Sequence, residues 1–324
     1  MSEDDVKREV LQVVEVDGKV YFLSIKYFDD DSVGGVGHVF LVRDTRAQGE
    51  VPTQVLATND TLRTMWASPS GSLWVASADG SVGTTAPVRW AAPTSGVDYL
   101  PLGPSPSWSV ADLPRVRATG LPPNVTALWG TGDSDVYAGT YGGHVYRWDG
   151  AMWAQVFDGP GGGNGTIRAF GGAPNDVYAL GQQGTILHFD GQAWTRLRVP
   201  GPPNGHELFT GVVRAPEGEV LISSSGDNGR LLQGSAAGGL EEFGRYLIHL
   251  IDMAPLGDRI LFATGDGVAE LIGRDVEMVK SSFKTSGMSA GKGRVFFFEP
   301  APESAGFIEY DPRREDAPWW GVEY

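Results

Sequence analysis

Residues Thr126–Val156 read TALWGTGDSDVYAGTYGGHVYRWDGAMWAQV, and residues Ile167–Leu197 read IRAFGGAPNDVYALGQQGTILHFDGQAWTRL. The two segments align without a gap. Each carries Gly, then Asp-Val-Tyr-Ala, then Gly, then aromatic-Asp-Gly, then Trp, in one register. A period of about 40 residues built from short strands and turn signals is the sequence signature of propeller blades.

Each shared residue has a mechanical reason. Asp135-Val-Tyr-Ala and Asp176-Val-Tyr-Ala open an inner strand, where β-branched and aromatic residues fill a pleated, buried surface. Asp149-Gly150 and Asp190-Gly191 stand between two apolar runs, where a two-residue hairpin turn needs positive φ. Trp153 and Trp194 follow at the same offset, at the start of an outer strand, placed to cover the gap to a neighbouring blade. These positions read as fold, not as site.

Weaker copies of the second strand begin at Val20, Leu73, Val136, Val177, Val220, Ile260 and Val295. The sequence therefore predicts an all-β chain forming a single seven-bladed β-propeller of four-stranded antiparallel blades, with six or eight as the neighbouring counts. One domain spans 1–324, interrupted in blade two by a Pro/Gly/Ser-rich insertion at about 84–114 that still holds Trp90, Tyr99 and Trp108. The first unit holds four strands of its own, near 9–16, 19–27, 37–44 and 51–57. The last ends in an outer strand at Pro318–Tyr324. The ring is thus expected to close by packing blade one on blade seven without sharing strands.

The Trp-Gly…Asp-Val-Tyr-Ala…Gly…aromatic-Asp-Gly-x-x-Trp pattern of residues 126–197 resembles propeller repeats of bacterial, especially myxobacterial, proteins, loosely Kelch-like and photosystem-assembly-factor-like. The resemblance implies a fold and a bacterial origin. It implies no reaction, because propellers host hydrolases, lectins and interaction platforms alike.

Composition narrows the function classes. Lys and Arg number 25 against 40 Asp and Glu, a net charge of −15 over 324 residues. That surplus argues against nucleic acid and against an anionic membrane surface, both of which are held by Lys and Arg. With no cysteine, disulfides, thiol catalysis and Cys-based metal sites are excluded. The N-terminus, Met1-Ser-Glu-Asp-Asp, lacks the basic-then-apolar layout of a secretory signal, and the expectation is a cytoplasmic protein.

No motif carries chemistry. The five histidines, His38, His144, His188, His206 and His249, form no HxH or HExxH pair. Gly287-Met-Ser-Ala-Gly-Lys292 is one residue short of a phosphate loop and lacks its Ser/Thr, and GxSxG is absent. Asp29-Asp30-Asp31 and Asp227-Asn228-Gly229 lack the spacing of a calcium loop. Asp-Gly-Gln-Ala-Trp194 departs from the sialidase Asp-box, and no trio of arginines marks matching blade positions. Cofactors, metals and catalytic residues are accordingly expected to be none.

Propellers bind mostly on the face formed by second-to-third-strand turns and blade-to-blade connections. On that face the repeat puts Asp29, Asp30, Asp31, Asp79, Tyr141, Gln182, Asp227 and Asp266, and Trp108 of the insertion adds an aromatic anchor. These nine are the candidate partner-binding residues. They suit a protein partner with a basic surface, bound by a propeller that is monomeric by itself. The sharpest version is an immunity or inhibitor protein neutralising a secreted toxin or effector. A scaffold subunit, and a lectin or glycoside-hydrolase-like propeller motivated by ten Trp and ten Tyr, are the alternatives.

Overall fold

The computed structural model describes the chain apart from residues 1–5, 29–34, 48, 92, 95, 104–105, 202–206, 216, 227, 300–305 and 324. Seven antiparallel sheets follow one another along it, each with four strands paired in the order of the sequence and the first with one more at its outer edge. This is a seven-bladed β-propeller. The second strands run Lys19–Phe28, Leu73–Ser77, Asp135–Thr140, Asp176–Gly181, Val220–Ser225, Arg259–Thr264 and Val295–Phe298. Each starts within a residue of its expected position. Helical structure among the described residues is a single short turn, Gly162–Gly165.

The aromatic residues of the repeat hold neighbouring blades together. Trp153 lies edge-on to Trp74 of the preceding blade at 6.3 Å, and both belong to one buried cluster with Val136, Ala138 and Tyr146. One blade on, Trp194 meets Tyr137 edge-on at 5.8 Å. Aromatic pairs of this kind add about 0.5–1.5 kcal/mol each beyond the area they bury. The Asp-Gly signal works slightly differently from the expected turn. The loop centres on Gly150–Ala151, and the Asp149 carboxylate accepts the N–H groups of Ala151 and Met152, both at 2.9 Å. Gly150 has φ +92°, and a Cβ there would press within 3.0 Å of Ser134 in the adjoining turn.

Blade 1 has a fifth strand. The blade-two insertion leaves the third strand of its own blade after Thr84, and residues Tyr99–Pro101 pair with the outer strand of blade 1 through Thr58, Ala57 and Leu56. The chain then returns to form blade 2's own outer strand, Ser109–Asp112. The insertion thus fills the outer cleft between two blades.

The innermost strands share a second irregularity. In blades 1 to 6 the pairing with the second strand skips one residue near the start of the inner strand, a β-bulge, and these skipped residues are Leu11, Arg63, Thr126, Arg168, Thr210 and Ile251; blade 3 has a second skip at Thr131. The inner strand of blade 7 pairs without a skip. A bulge re-aims the extra residue. All six border the central channel.

Candidate functional site

In an antiparallel blade, the second-to-third-strand turn and the connection to the next blade leave at the same end. Asp79, Tyr141, Gln182 and Asp266 occupy that turn in blades 2, 3, 4 and 6, so they share one face of the ring. Asp79, Tyr141 and Asp266 are exposed, and Gln182 is half-buried. Asp29, Asp30, Asp31 and Asp227 lie outside the described residues.

Trp108 does not join them. The residue after it, Ser109, pairs with Thr84, at the end of its strand remote from the Asp79 turn. Trp108 is half-buried there, packed on a core cluster of blades 1 and 2 that includes Leu23, Val39, Leu56 and Val75. Its neighbours in the insertion are anchored too. Trp90 meets Trp74 and Trp148 edge-on at 5.7 and 5.4 Å. The Tyr99 hydroxyl lies 3.1 Å from that of Ser81.

Among the described residues, carboxylates gather on the loop face at the junction of blades 1 and 2. Asp60 lies in the connection between the blades, and its negative charge raises the pKa of Asp79, with partial burial adding to it. Asp60 Oδ1 accepts the Thr61 N–H at 2.6 Å, while Oδ2 is buried with no hydrogen-bond partner among the described residues. Two further carboxylates arrive by way of the insertion. Asp98 precedes the added strand and accepts from the Asn59 side chain at 3.5 Å. Asp112 closes blade 2's outer strand opposite Ser81 and takes the N–H and hydroxyl of Thr94 at 2.6 and 2.9 Å. The sequence could not show Asp98 and Asp112 here, because nothing local says that a loop leaving the far face climbs back along the cleft.

Large apolar side chains also stand open on this face. Tyr141 is 51% exposed, and Leu247, in the connection from blade 5 to blade 6, is 91% exposed. Exposed aromatic and aliphatic groups beside polar ones are the usual makings of a binding surface.

The histidines are placed structurally. His144 Nδ1 accepts the Gly159 N–H at 3.0 Å, and burial lowers its pKa. His188 Nε2 is 2.9 Å from Asp176. His38 is held to about 4, first by burial and then by the charges of Lys26 and Arg8. His249 Nε2 lies 2.6 Å from the Ser225 hydroxyl at the channel rim. His206 is outside the described residues. Among the described residues no three His, Asp or Glu side chains converge as a metal site.

No family model and no curated protein matches the sequence. Solved structures do match in shape. The WD40 β-propeller domain of Doa1 superposes with a TM-score of 0.61 at 12% identity, over 91% of this chain and 93% of that one. YCF48 bound to D1 peptide gives 0.56 at 13% identity, over 92% and 95%. The extracellular domain of BT4673 from B. thetaiotaomicron gives 0.57 at 11%, over 90% of this chain but only 37% of that one. This chain therefore spans less than two fifths of that neighbour's length. Likeness at such identities is likeness of fold. It leaves the bacterial, Kelch-like descent implied by the repeat as an expectation.

Proposed function

We propose that this propeller is a binding protein without chemistry of its own, and that its loop face docks a basic surface of another protein. The observation that carries the reading is the gathering of Asp60, Asp79, Asp98 and Asp112 at one blade junction, on the face that also exposes Tyr141 and Leu247. Asp79, whose protonation the Asp60 charge favours, gains from a partner's Lys or Arg. The summed field of such a junction steers a basic surface inward and raises the association rate more than the final affinity. Support in kind comes from a propeller of the same shape whose structure holds a bound peptide. The specific role we favour is that of a cytoplasmic immunity or inhibitor protein that caps a basic effector.

The test uses the purified protein as bait in parallel with an Asp79→Asn/Asp98→Asn/Asp266→Asn variant. A protein captured by the first and lost by the second is then titrated, and its association rate should fall steeply with salt, since screening acts over about 8 Å at physiological ionic strength. Capture that is equal for both baits, with equal salt dependence, overturns this docking face. Turnover of a glycoside or peptide substrate that is lost on mutating a loop-face carboxylate overturns the non-catalytic reading.

A further inference from the structure

The channel at the ring axis is a cavity of about 650 Å³, within the range of small-molecule sites. The bulge residues line it, and their chemistry is unevenly arranged. Blades 2, 3 and 4 contribute Arg63, Thr126 and Arg168, whereas blades 6 and 1 contribute Ile251 and Leu11. At the bulge positions a cationic arc thus faces an apolar one, and the blades of the apolar arc also bring Glu9 and Asp252 to the channel. Trp66, Trp129 and Met288 line the same cavity.

Among the described residues, neither the Arg63 nor the Arg168 guanidinium makes a hydrogen bond or an ion pair. In a chain of net charge −15 this contrasts with the seam, where Arg294 is paired with Glu15 and Glu309. The titratable side chains bordering the channel are Glu9, Arg63, Arg168, His249 and Asp252. Glu9 feels the charge of Arg63, yet burial wins and raises its pKa. Asp252 accepts the N–H groups of Met253 and Met288 at 2.8 and 3.2 Å, but burial pushes it up to about 7. Burial thus favours the neutral form of both acids, whereas the two guanidinium groups stay charged.

We propose that the channel is a binding site for a small organic monoanion, a carboxylate with an apolar body, whose charged end lies between Arg63 and Arg168 and whose body rests across the channel on Ile251 and Leu11. A monoanion fits better than a phosphate dianion, because Glu9 already offsets part of the cationic charge. The carboxylate belongs either to a free small acid or to a peptide C-terminus.

The full-length protein is titrated with benzoate, phenylacetate and a blocked dipeptide acid, against benzamide, the dipeptide amide and inorganic phosphate. Tryptophan fluorescence and calorimetry report binding. Saturable binding of carboxylates but not amides is expected. Arg63→Gln and Arg168→Gln should each weaken it about tenfold or more, as loss of one charged hydrogen bond does, while Arg314→Gln on the opposite face leaves it unchanged. Both guanidinium groups are exposed to the channel, so the variants should keep the parent melting temperature. Saturation by benzoate points to a free acid, and saturation by the dipeptide acid alone points to a chain terminus. Absence of saturation by every carboxylate, retention of affinity in the double variant, or preference for phosphate overturns the proposal.

Discussion

Arg294 of blade 7 reaches Glu15 of blade 1 at 3.0 Å, across the seam where the ring closes. The same guanidinium holds Glu309 at 2.8 Å, and Glu309 in turn takes Arg46 at 2.8 Å and the Thr45 hydroxyl, both from blade 1. Arg46 also donates to the carbonyls of Ala317 and Pro318. Beneath this network Val10, Val13 and Phe22 pack on Phe296, Phe298 and Phe307. Closure without strand exchange thus rests on an apolar layer under a polar latch.

Glu309 is 1% exposed and serves three donors, so Glu309→Ala leaves two guanidinium groups short of their partner. Breaking a buried pair costs about 3–5 kcal/mol. Urea melts should show a loss of that order, with Glu309→Gln intermediate. An unchanged midpoint would mean that the apolar layer alone closes the ring.

Tyr99 lies against the backbone of Gly83, where a Cβ would meet its ring. Gly83→Ala should unseat the added strand and expose residues 85–108 to limited proteolysis, whereas Tyr99→Phe, which loses one hydroxyl contact, should cost only about 1 kcal/mol. Equal protease resistance in all three proteins would show that the strand is held elsewhere.

Trp108 offers a direct contrast between packing and recognition. Because it rests on the cluster shared by blades 1 and 2, Trp108→Ala should cost roughly 3 kcal/mol, near the low end for a buried tryptophan. Chemical denaturation measures that loss. A variant as stable as the parent but defective in partner capture would return Trp108 to the binding surface.

Asp252 gives a pH signature. Its pKa rises from 3.8 to about 7 on folding, so the folded state binds the proton more tightly than the unfolded one. Its contribution is therefore fully present below about pH 4 and is lost as pH rises through 7. Asp252→Asn should gain stability relative to the parent on going from pH 4 to pH 8, by about 1–2 kcal/mol, since the group is reached by channel solvent. A difference that stays flat across this window would show that Asp252 is ionised throughout.

The blade pattern was legible because its signals are local. An Asp-Gly turn, a Val-Tyr pair and a following Trp each act within a dozen residues, and seven second strands could be placed from them. Arg63 and Arg168 were not legible as a pair. In Leu62-Arg63-Thr64-Met65 a bulge breaks the two-residue alternation, so the residue aimed at the axis cannot be told from one aimed at solvent. Asp98 was hidden because strand pairing across repeats joins residues about 40 apart, with no periodicity to announce it, and Asp112 because its strand rejoins its own blade only after the insertion.

Blades 3 to 7 are each built from four strands adjacent in sequence, so a cut between most pairs of blades would sever a loop and leave every ladder whole. Such a ring has no privileged first repeat, and a circularly permuted chain opening at blade 4 could assemble the same sheets in the same order. The junction of blades 1 and 2 is the exception. There a stretch of one repeat completes the edge of the one before, which makes these two neighbours a single inheritable unit: neither could be duplicated, deleted or exchanged without rewriting the other.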